Sequence, residues 1–263
     1  MQKNKFNFYL KNNKFNLRKK NMKIIRKLAI PMPLTLEQYT KGYRYIICKI
    51  SLEETEASKA DSIKISLLES KKAENEEFGS CKFTKKLIDV SPKIPSIIKA
   101  VVPKKSLLIT ESSFNNFQKC RTNYLSEYFS DKKFSIQVDS LITNCDNFEK
   151  KFVKTKTETE VFLNDDIFFI DIRKDDKENK IDLKQKLEEN WYQNGEVLVV
   201  EKTINVNIGI FGIGSFAKDV IKEYQVQFFE QNKKIFNTKE IWENMSDEEI
   251  LKLEKSVDDS LRN

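Results

Sequence analysis

The segment 112–122, SSFNNFQKCRT, places a pair of amides, a thiol, a guanidinium and hydroxyl groups between two strand-like runs. A thiol acts as a nucleophile when a base activates it, but the chain contains no histidine. The absence of histidine excludes the common serine and cysteine triads and most zinc sites. These polar groups are therefore interpreted as a binding cluster, and no catalytic residue is predicted.

Length and composition predict one domain with a sizeable core, because the chain has 263 residues, of which 39% are hydrophobic. No apolar run reaches the roughly 18 residues that span a bilayer. The cysteines are widely spaced, which fits free thiols in the cytosol better than a disulfide or metal framework. They are Cys48, Cys81, Cys120 and Cys145.

The net charge of +7 is concentrated in residues 1–22, which hold seven basic residues and no acidic one. The rest of the chain is balanced, with 40 basic and 40 acidic residues. We interpret residues 1–22 as a disordered Lys/Asn-rich extension of a domain spanning 23–263, with Met22 as an alternative start. Binding of RNA or anionic lipid by the extension is the alternative.

Hydrophobic periodicity predicts an α+β fold with an antiparallel sheet. A strand over 23–30 is expected to be stopped by Pro31 and Pro33, and the capping box Thr35–Gln38 predicts a helix. Alternating apolar residues predict half-buried strands at 63–67, 134–138 and 204–210, and residues 104–145 are interpreted as three strands. Helices are predicted from Phe216 and from a second capping box at Ser246.

Residues 204–222 contain Gly212, Gly214 and Ala217 in the G-x-G-x-x-A spacing of a dinucleotide-binding turn. That fold needs a further parallel strand ending in an acid about 20 residues on, and only helix-like sequence follows. We therefore interpret the glycines as a hinge between a strand and a helix. A nucleotide-dependent oxidoreductase is the alternative.

Short motifs along the body resemble the single-domain cytosolic class of phosphatidylinositol transfer proteins, and they occur in that family's order from about Lys23. The resemblance implies a START-like helix-grip fold, in which a long curved antiparallel sheet and two long helices enclose one phospholipid. The motifs are Ile30-Pro31, Glu37-Gln38-Tyr39, Thr84-Lys85-Lys86, Lys93-Ile94-Pro95, Ala100 to Pro103, Phe114-Asn115, Cys120-Arg121-Thr122, Glu127-Tyr128, Asn190-Trp191 and Ile250 to Glu254.

The resemblance also implies roles for individual residues. The positions that match the family's inositol contacts are Thr84, Lys86, Asn115 and Glu254. Those that match its phosphate contacts are Thr122, Ser140 and Lys202, and Cys120 matches a cysteine near the headgroup. A family glutamine that contacts the phosphate aligns with Tyr43, so this contact is expected to differ. The family's membrane-entering tryptophan pair aligns with Ile210 and Phe211.

The function implied by the resemblance is exchange of phosphatidylinositol for phosphatidylcholine between membranes, without making or breaking a bond. No cofactor is expected besides the phospholipid cargo, and no nucleic acid partner. We expect a cytoplasmic monomer that contacts membranes transiently and has a lipid kinase as a candidate partner. A phosphoinositide sensor that presents lipid without transferring it is the second hypothesis.

Overall fold

The computed structural model describes residues 22–56, 63–93, 99, 103–146, 167–169, 191–192, 197–210 and 216–260. Within them, eight strands form one sheet, and two long helices cover one of its faces. The strands are β1 (Met22–Met32), β2 (Lys64–Asn75), β3 (Gly79–Asp89), β4 (Leu108–Asn115), β5 (Lys119–Ser126), β6 (Phe134–Cys145), β7 (Ile167–Phe169) and β8 (Val197–Ile208). The α-helices are α1 (Leu36–Glu56), α2 (Phe216–Asn237), α3 (Lys239–Trp242) and α4 (Asp247–Ser260).

The strand order is β2-β3-β4-β5-β6-β8-β1-β7. Seven strands are antiparallel to their neighbours, and the short β7 pairs in parallel with β1. The predicted α+β class with an antiparallel helix-grip sheet is therefore confirmed.

Both capping boxes form as predicted. The N–H of Gln38 donates to Thr35 Oγ1 at 3.2 Å, and the N–H of Thr35 donates to Gln38 Oε1 at 3.0 Å. The Ser246–Glu249 pair makes the same reciprocal bonds at the start of α4. Each box satisfies N–H groups that have no acceptor inside the helix, and so fixes where α1 and α4 begin.

The sheet face that looks toward the helices is divided into two halves. On β6, β8 and β1 this face is mostly aliphatic and forms the main core with α1 and α2. On β3, β4 and β5 the same face carries mostly polar residues, as the strand register shows. A single interior surface thus runs from apolar to polar across the sheet.

Two details differ from the sequence prediction or lie outside the described residues. The prediction that the first strand stops at Ile30 is wrong, because β1 continues to Met32, directly before Pro33, and Pro31 pairs with Val199. Within the described residues, the register of β1 with β7 covers only Lys27 to Ala29. Residues 1–21, Phe211, Gly212 and Gly214 lie outside the described residues, so the predictions for the extension and the hinge stay predictions.

Candidate functional site

A row of four predicted site residues crosses the sheet on its helix-facing side. Asn115 on β4 is the register partner of Cys120 on β5, Cys120 of Ser140 on β6, and Ser140 of Lys202 on β8. Direct register partners in antiparallel strands place their side chains on the same face. The sheet therefore brings together four residues that are separated by up to 87 positions in the sequence.

The row forms one wall of a cavity between the sheet and the helices. Tyr39 and Tyr43 of α1 and Phe228 and Gln231 of α2 line the opposite side. The tyrosine rings stack at 6.1 Å between centres, and the Tyr39 hydroxyl donates to Asn232 Oδ1 at 3.0 Å. These contacts tie α1 to α2 beside the cavity.

The β4–β5 turn holds a phenylalanine at the edge of the cavity. Asn115 Oδ1 accepts the Phe117 N–H at 2.7 Å, and Asn116 Oδ1 accepts the Lys119 N–H at 2.7 Å. Phe117 adopts a positive φ of 70°, which is uncommon for a bulky residue and requires such support. The two asparagines therefore shape the turn, and Asn115 also lines the cavity.

Lys202 interrupts an otherwise aliphatic strand face made of Leu198, Val200, Ile204, Val206 and Ile208. Its ammonium lies 4.8 Å from the centre of the Phe228 ring and makes no ion pair or hydrogen bond with any described residue. Burial lowers the pKa of Lys202 to about 8, and the neighbouring Cys120 opposes this shift. A lysine in the protein interior that forms no ion pair with a described residue can bind an anion.

The next row of the same face carries hydroxyl groups. Thr84 pairs in register with Ser113, and Ser113 with Thr122. Thr122 donates to Ser113 Oγ at 3.1 Å, and the Cys120 sulfur lies 3.4 Å from Ser113 Oγ and 3.7 Å from Thr122 Oγ1. Cys120 is thus part of a small polar cluster, and no base lies against it in these contacts.

A third row contains Lys86, whose Nζ lies 3.4 Å from Glu111 Oε1. Tyr124 lies between Glu111 and Tyr224 of α2, and its ring centre is 6.3 Å from that of Tyr224. Burial is the largest cause that raises the pKa of Tyr224, to about 12, and it also raises the pKa of Tyr124, to which Glu111 adds. Both phenols therefore stay neutral at physiological pH, and the network joins the polar half of the sheet to α2.

Glu254 lies on α4 and is held by Arg44 of α1. Arg44 Nε donates to Glu254 Oε1 at 2.8 Å, and Nη2 donates to Oε2 at 3.1 Å. One turn further along α4, Asp258 pairs with Lys82 at 3.2 Å, and Lys82 is the register partner of Asn115. These contacts place α4 over the polar end of the sheet.

The structure therefore brings Asn115, Cys120, Ser140 and Lys202 to one cavity and puts Thr84, Lys86 and Thr122 on the same face beside it. Sequence reasoning missed Arg44 and Phe117, because each makes its contact with a residue distant in sequence, and it missed Gln231, which reaches the cavity wall only through the packing of α2. Ile210 is half-buried against the core, while its partner Phe211 lies outside the described residues. The membrane-docking prediction for this pair stays a prediction.

The strand that precedes the glycine motif is β8, and it pairs antiparallel with both β6 and β1. A dinucleotide-binding unit would place that strand in a parallel sheet. The motif therefore does not form part of such a unit.

Fold and site together define a lipid-binding protein of the helix-grip class, with an interior that is apolar at one end and polar at the other. A family model described as "Phosphatidylinositol transfer protein" matches residues 23–259. The chain belongs to the phosphatidylinositol transfer protein family. None of its described helices combines the length and apolar content needed to cross a bilayer.

Curated relatives match over most of the chain. Phosphatidylinositol transfer protein 2 of Dictyostelium discoideum is 23% identical over 89% of this chain and 93% of its own length. Phosphatidylinositol transfer protein 4 of the same organism is 24% identical over 89% of this chain and 74% of its own. Cytoplasmic phosphatidylinositol transfer protein 1 of Mus musculus is 23% identical over 90% of this chain and 73% of its own.

Proposed function

We propose that this protein binds one phosphatidylinositol or phosphatidylcholine molecule between the sheet and the helices and exchanges it between membranes. No bond is made or broken in this activity. The observation that carries the proposal is the division of the interior face, which is aliphatic on β6, β8 and β1 and polar on β3, β4 and β5. A phospholipid is divided in the same way, into apolar acyl chains and a polar headgroup.

Charge balance within the site favours a headgroup with a single negative charge. Three cations at the polar end are already paired with carboxylates, in Lys82–Asp258, Lys86–Glu111 and Arg44–Glu254. Lys202 is left to neutralise one phosphodiester. Paired ammonium and carboxylate groups still offer donors and acceptors, which suits the uncharged hydroxyls of an inositol ring.

The proposed division of roles is the one that the family resemblance implies. Lys202 and Ser140 are proposed to contact the lipid phosphate together with Thr122, while Thr84, Lys86, Asn115 and Glu254 contact the inositol hydroxyls. The acyl chains would lie along the aliphatic half. The side chains of Val200, Ile142 and Phe228 fill the space beside the cavity, so entry of the chains requires α2 to move away from the sheet.

Native mass spectrometry of the purified protein, followed by lipid extraction, tests the binding step. We expect one phosphatidylinositol or phosphatidylcholine molecule per chain. Lys86→Ala and Glu254→Ala should lose the inositol lipid selectively, and Lys202→Met should lose both lipids. Lys222→Met is the matched control, because Lys222 is exposed on α2. A wild-type protein without phospholipid would overturn the proposal.

Transfer itself is tested separately with labelled phosphatidylinositol moving from donor to acceptor vesicles. The proposal predicts that each protein molecule transfers lipid repeatedly, and that Lys202→Met abolishes this transfer. Stoichiometric binding without transfer would instead favour a protein that holds or presents the lipid to a lipid kinase, and the same binding site would then serve that role.

A further inference from the structure

The cavity beside Lys202 contains an amide with no partner. Gln231 of α2 lines the cavity, and its Nε2 is buried without a hydrogen bond to any residue that the structure describes. A buried unpaired donor is destabilising, and such groups in folded proteins usually have a partner. The described residues supply no acceptor for this amide, so a ligand in the cavity is a candidate for that role.

Gln231 is held in place by its neighbours on α2. Phe228, one turn earlier, lies on the same helix face and carries the Lys202 ammonium against its ring. The next residue, Asn232, accepts the Tyr39 hydroxyl at 3.0 Å and donates to the Phe228 carbonyl at 2.7 Å. These contacts fix the part of α2 that carries Gln231, on the side of the cavity opposite Lys202.

A second donor lines the same cavity. The hydroxyl of Tyr43 makes no hydrogen bond with the described residues, and the Tyr43 ring is fixed by stacking on Tyr39. Burial, with Cys120 and Glu111 adding to it, raises the pKa of Tyr43, so the phenol keeps its proton. An ammonium, a phenol and an amide therefore line one cavity, and none has an acceptor within the described protein.

We propose that Gln231, together with Tyr43, donates hydrogen bonds to the phosphate of the bound phospholipid and so completes a three-sided anion site with Lys202. This inference rests on the proposed lipid-binding function. A phosphodiester has two non-bridging oxygens that share one negative charge and accept several hydrogen bonds, so it can satisfy all three donors at once. The unpaired amide then gains the partner that it lacks in the protein alone.

Gln231→Leu removes the amide at nearly constant volume, and Tyr43→Phe removes only the hydroxyl. With vesicles containing phosphatidylinositol as the probe, we expect lipid affinity to fall about tenfold in Gln231→Leu and about threefold to tenfold in Tyr43→Phe. Gln231→Glu should lose more, about a hundredfold, because its carboxylate repels the phosphate. The ³¹P resonance of the bound lipid should move in Gln231→Leu.

Matched controls are Gln227→Leu, an exposed glutamine of the same helix that bonds Glu223, and Tyr45→Phe, a core tyrosine of α1 outside the cavity. Thermal unfolding should show that lipid-free Gln231→Leu is at least as stable as the wild type. Wild-type affinity and an unchanged ³¹P resonance in Gln231→Leu would overturn the inference and leave the proposed function standing. A wild-type protein that takes up no phospholipid would overturn both.

Discussion

Arg44 grips both carboxylate oxygens of Glu254, with N–O distances of 2.8 and 3.1 Å, and its guanidinium also lies 5.5 Å from the centre of the Phe117 ring. One side chain of α1 therefore joins α4 to the β4–β5 turn at the polar end of the interior. The hydrogen bonds to Glu254 are the largest cause that raises the Arg44 pKa. The predicted inositol carboxylate is thus already engaged, and its remaining lone pairs are those available to a ligand.

Glu254→Gln tests this arrangement. The substitution keeps an acceptor but removes the charge, so Arg44, which is 15% exposed, loses its closer ion-pair partner and keeps only the 3.8 Å contact with Asp247. We expect the free energy of unfolding to fall by about 1–2 kcal/mol, since the pair is only partly buried. Retention of phosphatidylinositol should fall about tenfold, while that of phosphatidylcholine stays the same.

Urea unfolding and lipid extraction measure the two effects. The control is Glu248→Gln, an exposed residue on the first turn of the same helix. A double-mutant cycle with Arg44→Met separates the ion pair from the lipid contact. Equal losses of both lipids in Glu254→Gln would show that the carboxylate acts on the fold and not on the headgroup.

Lys202→Met should stabilise the lipid-free protein while destroying lipid binding. The pKa of Lys202 is about 8 in the folded protein against an ordinary value of 10.5, so the charged form is disfavoured by folding. The cost is fully present below pH 8 and disappears as the pH rises to 10.5, because only the unfolded chain holds the proton in that window. We expect Lys202→Met to gain about 1–3 kcal/mol at pH 7 and much less at pH 10.

Lipid retention should show the opposite dependence on pH. A bound phosphate favours the ammonium, so wild-type affinity should be constant below pH 8 and fall as the pH rises above it. Urea unfolding of delipidated protein and lipid extraction at pH 7 and 9 check both trends, with Lys222→Met as the control. A Lys202→Met protein that is less stable than the wild type at pH 7 would contradict the account of an uncompensated buried charge.

The fold followed from the sequence wherever local signals were sufficient. Alternating residues located β6 and β8, and reciprocal Ser/Thr and Glu/Gln spacing located the starts of α1 and α4. The position of Pro31 inside β1 was not predicted, because whether a strand tolerates proline depends on its neighbours in the sheet, which no local pattern reveals. The glycine spacing after β8 matched a nucleotide-binding turn only locally, and the antiparallel pairing of β8 supports the rejection of that interpretation.

The site was predicted unevenly for a similar reason. The row from Asn115 to Lys202 was found through family motifs, and the register then explained why these residues meet. Arg44 and Gln231 were not predicted as site residues, because the sequence around a helical arginine or glutamine does not indicate which residue it contacts. Arg44 binds Glu254, which is 210 positions away, and Gln231 lines the cavity without a hydrogen bond to a described residue.

Gly42→Ala tests the packing of α1 against the later helices. A Cβ at this position would lie 2.8 Å from the Trp242 ring and 2.9 Å from Ile235 Cγ2, and both of these side chains are completely buried. Overpacking of this kind costs about 1–3 kcal/mol, since neither neighbour has room to move. Thermal unfolding should therefore show a lower midpoint, and Lys49→Ala, at an exposed position of the same helix, should not. An unchanged midpoint would mean that α1 is more loosely packed than described.

Tyr224→Phe tests whether separation of α2 from the sheet limits lipid exchange. The Tyr224 ring lies 6.3 Å from that of Tyr124, and Tyr124 interacts with Glu111, the ion-pair partner of Lys86, so Tyr224 links α2 to the polar half of the sheet. Removing the hydroxyl from this contact should weaken the link by about 0.5–1.5 kcal/mol. If opening is rate-limiting, vesicle-to-vesicle transfer should accelerate about twofold to tenfold, and amide hydrogen exchange in α2 should accelerate with it.

The control for this experiment is Tyr128→Phe, since Tyr128 is 53% exposed. Faster hydrogen exchange without faster transfer would show that α2 opens more easily but that another step, such as departure from the membrane, sets the rate. Unchanged hydrogen exchange would remove the network as a link between α2 and the sheet. A parallel rise in both rates would identify the movement of α2 as the step that releases the lipid, because the substitution changes no residue proposed to contact the headgroup.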